Sequence, residues 1–177
     1  YQIMEELTTR FPKILFEGCS AGGNRFDLGI LCYFPQIWAS DNTDALCRTG
    51  IQNSYSYGYP LSVFTAHVSS CPNHQTLRIT PLETRFQVAS FGILGYECNL
   101  KDLSGSDLNA IREQIAFYKK WRDVFQFGSF YRGAENEASD SETLSWTCVS
   151  PDGRTAVGLF FRRLTVPNQS HDWYRPV

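Results

Sequence analysis

Long apolar runs are missing from this sequence: no window holds the ~18 uninterrupted apolar residues that a membrane span needs. Net charge is nearly missing as well. The formal value of −2 excludes a broad attraction to nucleic acid or to anionic lipid, so neither is an expected partner. Histidine is scarce, with only His67, His74 and His171, and none of the six cysteines belongs to a Cys-x-x-Cys pair. The closely spaced ligand pairs of a structural zinc site are therefore absent, and no metal or cofactor is expected. The N-terminus has no initiator Met, no basic region and no apolar signal core. Scattered cysteines without a signal peptide point to reduced, mostly buried thiols in a cytoplasmic protein. Repeats and low-complexity tracts are also absent.

What is present is a globular balance, 42% hydrophobic and 19% charged over 177 residues, with aromatics at 15%. The aromatics sit mostly in apolar runs rather than among Lys and Arg, which suits a core and a pocket with flat apolar faces better than a nucleic-acid surface. Ile3, Met4, Leu7 and Phe11 follow helical spacing from the first residues, so the chain is expected to be a piece of a longer protein.

Strand and helix signals then alternate. Residues 13–19, KILFEGC, suit a buried parallel strand. The glycine-containing loop SAGGNRFD follows, in which Arg25 and Asp27 can pair. Residues 28–38 read as a helical turn leading into a second strand. That strand ends at ASDNTDA, where Asn42 or Thr43 would cap the next helix with Asp44 in its first turn. Residues 61–68 read as a third strand, 80–89 as a helix, and 91–96 as a fourth strand weakened by Gly92 and Gly95. Ser104 and Asp107 resemble a capping box, after which Leu108, Ile111, Ile115, Tyr118 and Phe125 keep helical spacing up to Gly128. Past Gly133 an acidic, polar stretch leads to two strands joined by a Pro-Asp-Gly turn. Alternation of this kind fits half of a (β/α)8 barrel or a doubly wound sheet, and periodicity does not choose between them. In both, chemistry belongs to the loops at the C-terminal strand ends, here after Cys19, Trp38 and Val68.

Asp41 stands at such a strand end, close after Trp38. A carboxylate against an aromatic wall loses solvation, which suits general-acid work, although a helix-capping role fits the same spacing. Asp44 is the neighbouring competitor. Cys19 has a nucleophilic thiol but no local histidine to activate it, so packing is the simpler role. Gly22 and Gly23 let the backbone approach a ligand, without the pattern of a phosphate-binding loop. His67 and His74 can bind substrate, act as bases or ligate a metal, with a bond to a loop carbonyl as the commoner role. Trp38 is the tryptophan placed to serve as a sugar platform; core packing is the default for Trp121, Trp146 and Trp173.

The string LFEGCSAGGNRFDLGILCYFPQIWASDNTDA resembles the signature region of glycoside hydrolase family 36, the α-galactosidases. YPLSVFTAHVSSCPNHQT, RFQVASFGILGYECNL and IREQIAFYKKWRDVFQFGSFYR continue the resemblance in the family's order, over about residues 1–132. The resemblance implies an α/β fold: the C-terminal half of a (β/α)8 barrel over residues 1–133, then the start of an all-β sandwich domain over 134–177. It implies retaining hydrolysis of α-galactoside oligosaccharides such as melibiose and raffinose. Asp41 then falls on the acid/base carboxylate, with Cys19, Gly22 and Trp38 binding substrate. The family's nucleophile lies in an upstream Lys-Trp-Asp-type motif, and no such string occurs here. The fragment alone is accordingly expected to be inactive. Family glycines are replaced by Ala21 and Asn24. An α-N-acetylgalactosaminidase, a galactosyl-transferring relative and a non-catalytic carbohydrate-binding piece remain alternatives, and a homo-oligomeric parent is left open.

Overall fold

The structure is a computed structural model that describes residues 1–20, 25–133, 142–164 and 167. Gly22, Ala21, Asn24, His171 and Trp173 lie outside the described residues.

Two sheets organise the chain. The first is four-stranded and wholly parallel, in the order β1 (Glu17–Cys19), β2 (Gln36–Trp38), β3 (Phe64–Ser69), β4 (Ile93–Glu97). The second is three-stranded and antiparallel, β5 (Ser129–Arg132), β6 (Thr143–Val149), β7 (Ala156–Arg162). Helix α1 (Gln2–Arg10) opens the chain. Helices α2 (Ala45–Tyr55) and α3 (Leu82–Ala89) cross between neighbouring parallel strands, and α4 (Gly105–Phe127) follows the last one. No helix among the described residues is long and apolar enough to cross a membrane.

Most elements fall where patterning predicts them, and the departures have local causes. Residues 13–16 do not join β1, which is a three-residue strand at one margin of the sheet. Ile14 and Leu15 are 55% and 66% exposed, and among the described residues β1 has β2 alone as a neighbour. Ser104 caps α4 as expected, its Oγ accepting from the Asp107 amide at 3.1 Å. The reciprocal half differs: the Asp107 carboxylate accepts a hydrogen bond from the Ser104 hydroxyl at 2.7 Å. Strand β5 has no counterpart in the sequence reading. Its four residues follow a 23-residue helix directly, too short a run for alternation to register. Gly128 permits this sharp exit, since a Cβ there would lie 2.4 Å from the Val124 carbonyl oxygen and 2.5 Å from that of Val149.

The core lies on one side of the parallel sheet. Phe64, Ala66 and Val68, alternate residues of β3, are wholly buried and pack with Phe86, Val88, Phe91, Ile111, Tyr118 and Phe125. The second sheet shares this core through Leu144, Trp146, Cys148 and Leu159. Helix α2 joins the two sheets with a buried polar face. Gln52 donates to the carbonyls of Val88 and Phe91, and Asn53 accepts the Trp146 indole N–H at 3.1 Å. The expectation of mostly buried thiols does not hold. Cys19, Cys32 and Cys71 are exposed, Cys47 and Cys98 intermediate, and only Cys148 is buried; none is in a disulfide. Cys19, Cys32 and Cys71 fall at the sheet margin and in loops, where there is little packing to cover them.

Candidate active site

Side chains in register on neighbouring parallel strands point to the same face. Cys19 pairs with Trp38, Trp38 with Thr65, His67 with Gly95, and Ser69 with Glu97. Because Thr65, His67 and Ser69 alternate along β3, all these positions share the face opposite the apolar core. The parallel sheet is thus apolar on one side and polar on the other, and the polar side rises to the C-terminal strand ends.

Asp41 lies just beyond β2 in the loop that precedes α2. Its Oδ1 accepts the Trp38 indole N–H at 3.0 Å. Asp41 is exposed within these 177 residues, and Trp38 offers it the polar indole edge rather than the apolar ring face. Helix capping is excluded for Asp41 by a different residue. Asp44 is the N-cap of α2, its Oδ1 accepting from the amides of Leu46 and Cys47. Asn42 and Thr43 do not take that role; Asn42 Oδ1 instead accepts the Asp44 amide.

Asp44 also anchors the loop that carries Asp41. It is 1% exposed, receives two bonds from Arg78 Nη1 at 2.7 and 2.8 Å, and accepts the Thr76 hydroxyl. Burial pushes its carboxyl up, but the bonds from Thr76, Arg78, Leu46 and Cys47 outweigh this and hold it below the usual carboxylate range. The loop after β3 closes the clasp: Asn73 donates to Thr43 Oγ1, and the Ser69 hydroxyl to the Thr43 carbonyl. Of the residues bordering this loop, His74 is exposed, whereas His67 turns to the polar face.

The indole of Trp38 is itself packed by two groups. The His67 ring stacks on it at 4.4 Å, and the Arg48 guanidinium lies over it at 4.6 Å. Arg48 is 2% exposed and donates to the carbonyls of Ser40 and Thr65. Burial lowers its pKa to about 10, with the nearby charges of Glu97 and Tyr55 opposing that shift, so it remains a cation at neutral pH. His67 Nδ1 lies 3.3 Å from Glu97 Oε2. Sequence reasoning did not single out Arg48 or Glu97. Gly95 carried a signal for the placement of His67 instead, because a Cβ there would come within 2.5 Å of the His67 ring. A glycine inside a strand marks a close approach, and here it makes room for an aromatic partner.

Cys19 is brought to the level of Trp38 by strand register, at the exposed end of β1. The pairing expected between Arg25 and Asp27 is present at 3.6 Å, and Asp27 also accepts the Tyr1 hydroxyl. Trp146 is core; Trp121 is partly buried with the Lys120 ammonium over its ring.

A polar strand-end face with a loop carboxylate held by an indole can bind a hydroxyl-rich ligand and exchange a proton with it. The melibiase family model matches residues 1–128. Alpha-galactosidase 1 of Pediococcus pentosaceus is 49% identical over 161 residues, covering 91% of this chain and 22% of that protein. Alpha-galactosidase AgaA of Geobacillus stearothermophilus is 45% identical over 175 residues, covering 99% and 24%. Among solved structures, the alpha-galactosidase of Lactobacillus brevis superposes with a TM-score of 0.91 at 46% identity, over 96% of this chain and 23% of that one. A variant of the Geobacillus enzyme, solved with raffinose, superposes with a TM-score of 0.90 at 45% identity and the same coverage. The chain spans about a quarter of the length of the relatives it matches.

Proposed function

The chain belongs to the melibiase family, glycoside hydrolase family 36, and we propose from this that it forms part of a retaining α-galactosidase with Asp41 as acid/base. The observation that carries the reading is the Trp38–Asp41 hydrogen bond on the polar strand-end face. It engages Oδ1 and leaves Oδ2 to protonate the glycosidic oxygen and later to activate water. A retaining enzyme needs a second carboxylate about 5–5.5 Å away as nucleophile. That group belongs upstream, in a strand that this chain does not supply, so the 177 residues alone should not turn over. Terminal α-galactosides are the proposed substrates. Raffinose and stachyose bound to variants of the Geobacillus enzyme support that choice. Cys19 and Gly22 would face the ring on its 2-hydroxyl side and Trp38 would line the pocket.

The four parallel strands would form half of a (β/α)8 barrel. Each outer strand has one neighbour among the described residues, which is what closure by four upstream strands requires. The antiparallel sheet would begin the sandwich domain. The test is Asp41→Asn in the full-length protein. Hydrolysis of α-galactosides with unactivated leaving groups should fall by about 10²–10⁴. Unchanged glycosylation and deglycosylation on both activated and unactivated substrates would remove Asp41 from the role. A Lys-Trp-Asp motif in the preceding coding sequence would identify the nucleophile.

A further inference from the structure

We propose that Arg48, together with the His67–Glu97 pair, is a positioning unit that fixes the Trp38 indole and through it the Asp41 carboxylate. The proposal deepens the acid/base reading of Asp41 and rests on it.

Among the described residues, the one side-chain hydrogen bond to Asp41 comes from Trp38. Whatever orients the indole therefore orients the carboxylate. Asp41 is exposed, so packing does not hold it. The indole, by contrast, is fixed from the protein side by two contacts, the His67 ring and the Arg48 guanidinium. Each of these is fixed in turn. Arg48 Nη2 donates 2.8 Å to the Thr65 carbonyl, in the β3 residue that is in register with Trp38. Its Nη1 donates 3.1 Å to the carbonyl of Ser40, the residue before Asp41. One side chain thus touches both the ring that bonds Asp41 and the backbone that carries it. His67 lies over Gly95, where no side chain competes for the space, and Nδ1 meets the Glu97 carboxylate.

A purely structural reading leaves one fact without a purpose. Arg48 is an almost completely buried cation with no carboxylate in ion-pair contact among the described residues. An apolar side chain of similar length would fill the volume without the desolvation penalty. A guanidinium adds a planar surface for an aromatic face and a rigid fork for two carbonyls, and both are in use here.

The experiment compares Arg48→Met, Glu97→Gln and Gly95→Ala with Asp41→Asn in the full-length protein, on aryl α-galactosides of good and poor leaving group. A misplaced acid matters where the leaving group needs a proton. For Arg48→Met, Glu97→Gln and Gly95→Ala, whose methyl would push the His67 ring off the indole, kcat/KM should drop about tenfold to a hundredfold on the poor leaving group and much less on the good one. Arg48→Lys, keeping charge without the planar fork, should rescue little. If Arg48→Met does not fold, Glu97→Gln and Gly95→Ala carry the test. Equal losses on both substrates, or no loss on either, overturn the proposal. If Asp41→Asn discriminates between the leaving groups and Arg48→Met and Glu97→Gln do not, this proposal falls and the acid/base reading stands. If Asp41→Asn itself shows no discrimination, both fall.

Discussion

Asp44 shows how a residue three positions from the proposed acid governs where that acid stands. Its carboxylate is buried, caps α2 and receives Arg78 and Thr76 from the loop after β3. Asp44→Asn keeps one acceptor for the helix amides but loses the charge that holds Arg78. About 1.5–3 kcal/mol of stability should go at neutral pH, the range for hydrogen bonds to a charged group. The pH dependence follows from a folded-state pKa held below the ordinary value of 3.8. A depressed carboxyl contributes its full stability above the unfolded-state pKa and loses it as pH falls through the folded one. Urea unfolding should therefore show the wild type and Asp44→Asn converging below about pH 4, with the gap constant from there to neutrality. A gap that widens towards acid would contradict the assignment.

At the scale of elements, α4 is placed on the sheet by a tyrosine as well as by its apolar stripe. The Tyr118 hydroxyl donates to the Gly92 carbonyl at 2.7 Å, and accepts from the Leu94 amide and the Gln126 side chain. One phenol therefore satisfies the backbone at the start of β4, and burial pushes its pKa upward. Tyr118→Phe keeps the packing and strands these partners, so a loss of about 1–3 kcal/mol is expected. Chemical denaturation measures that loss. Faster amide exchange at Leu94 in the same variant would locate it at the β4 edge. A loss below the error of the measurement would mean that water replaces the phenol.

The whole molecule depends on how its two sheets meet. Trp146 is 1% exposed, packs at a tilt against Phe91 and Phe130, and bonds Asn53 of α2. Arg132 of β5 reaches Ser56, the C-cap of α2, and Arg163, just past β7, reaches Thr49 within that helix. Trp146→Ala should cost about 3–5 kcal/mol, a large share of the ~5–15 kcal/mol that holds a typical domain. Cys148, two residues along β6, reports the event: burial pushes its thiol up to about 12 and keeps it from reagents. Thiol labelling of Cys148 should accelerate in Trp146→Ala in step with the unfolding of the parallel sheet. If labelling accelerates while that sheet stays folded, the two sheets are separate units.

The alternation of strand and helix, the Ser104 cap, the closing hairpin and the family are legible in the residues alone, because each is written in short spacings or in contiguous motifs. Strand margins and β5 escaped it, since three- and four-residue strands carry too little alternation to read. Tertiary structure alone decided which groups surround Asp41. Arg48 lies seven residues along the chain, His67 twenty-six and Glu97 fifty-six; the parallel register of β2, β3 and β4 gathers Trp38, His67 and Glu97 on one face, and α2 lays Arg48 over the same indole. It also decided which part of Trp38 meets Asp41, the indole N–H rather than the apolar ring face. Spacing names the residues at a strand end. The direction in which a ring presents its polar edge is fixed by what packs against that ring, and those partners come from other strands and helices.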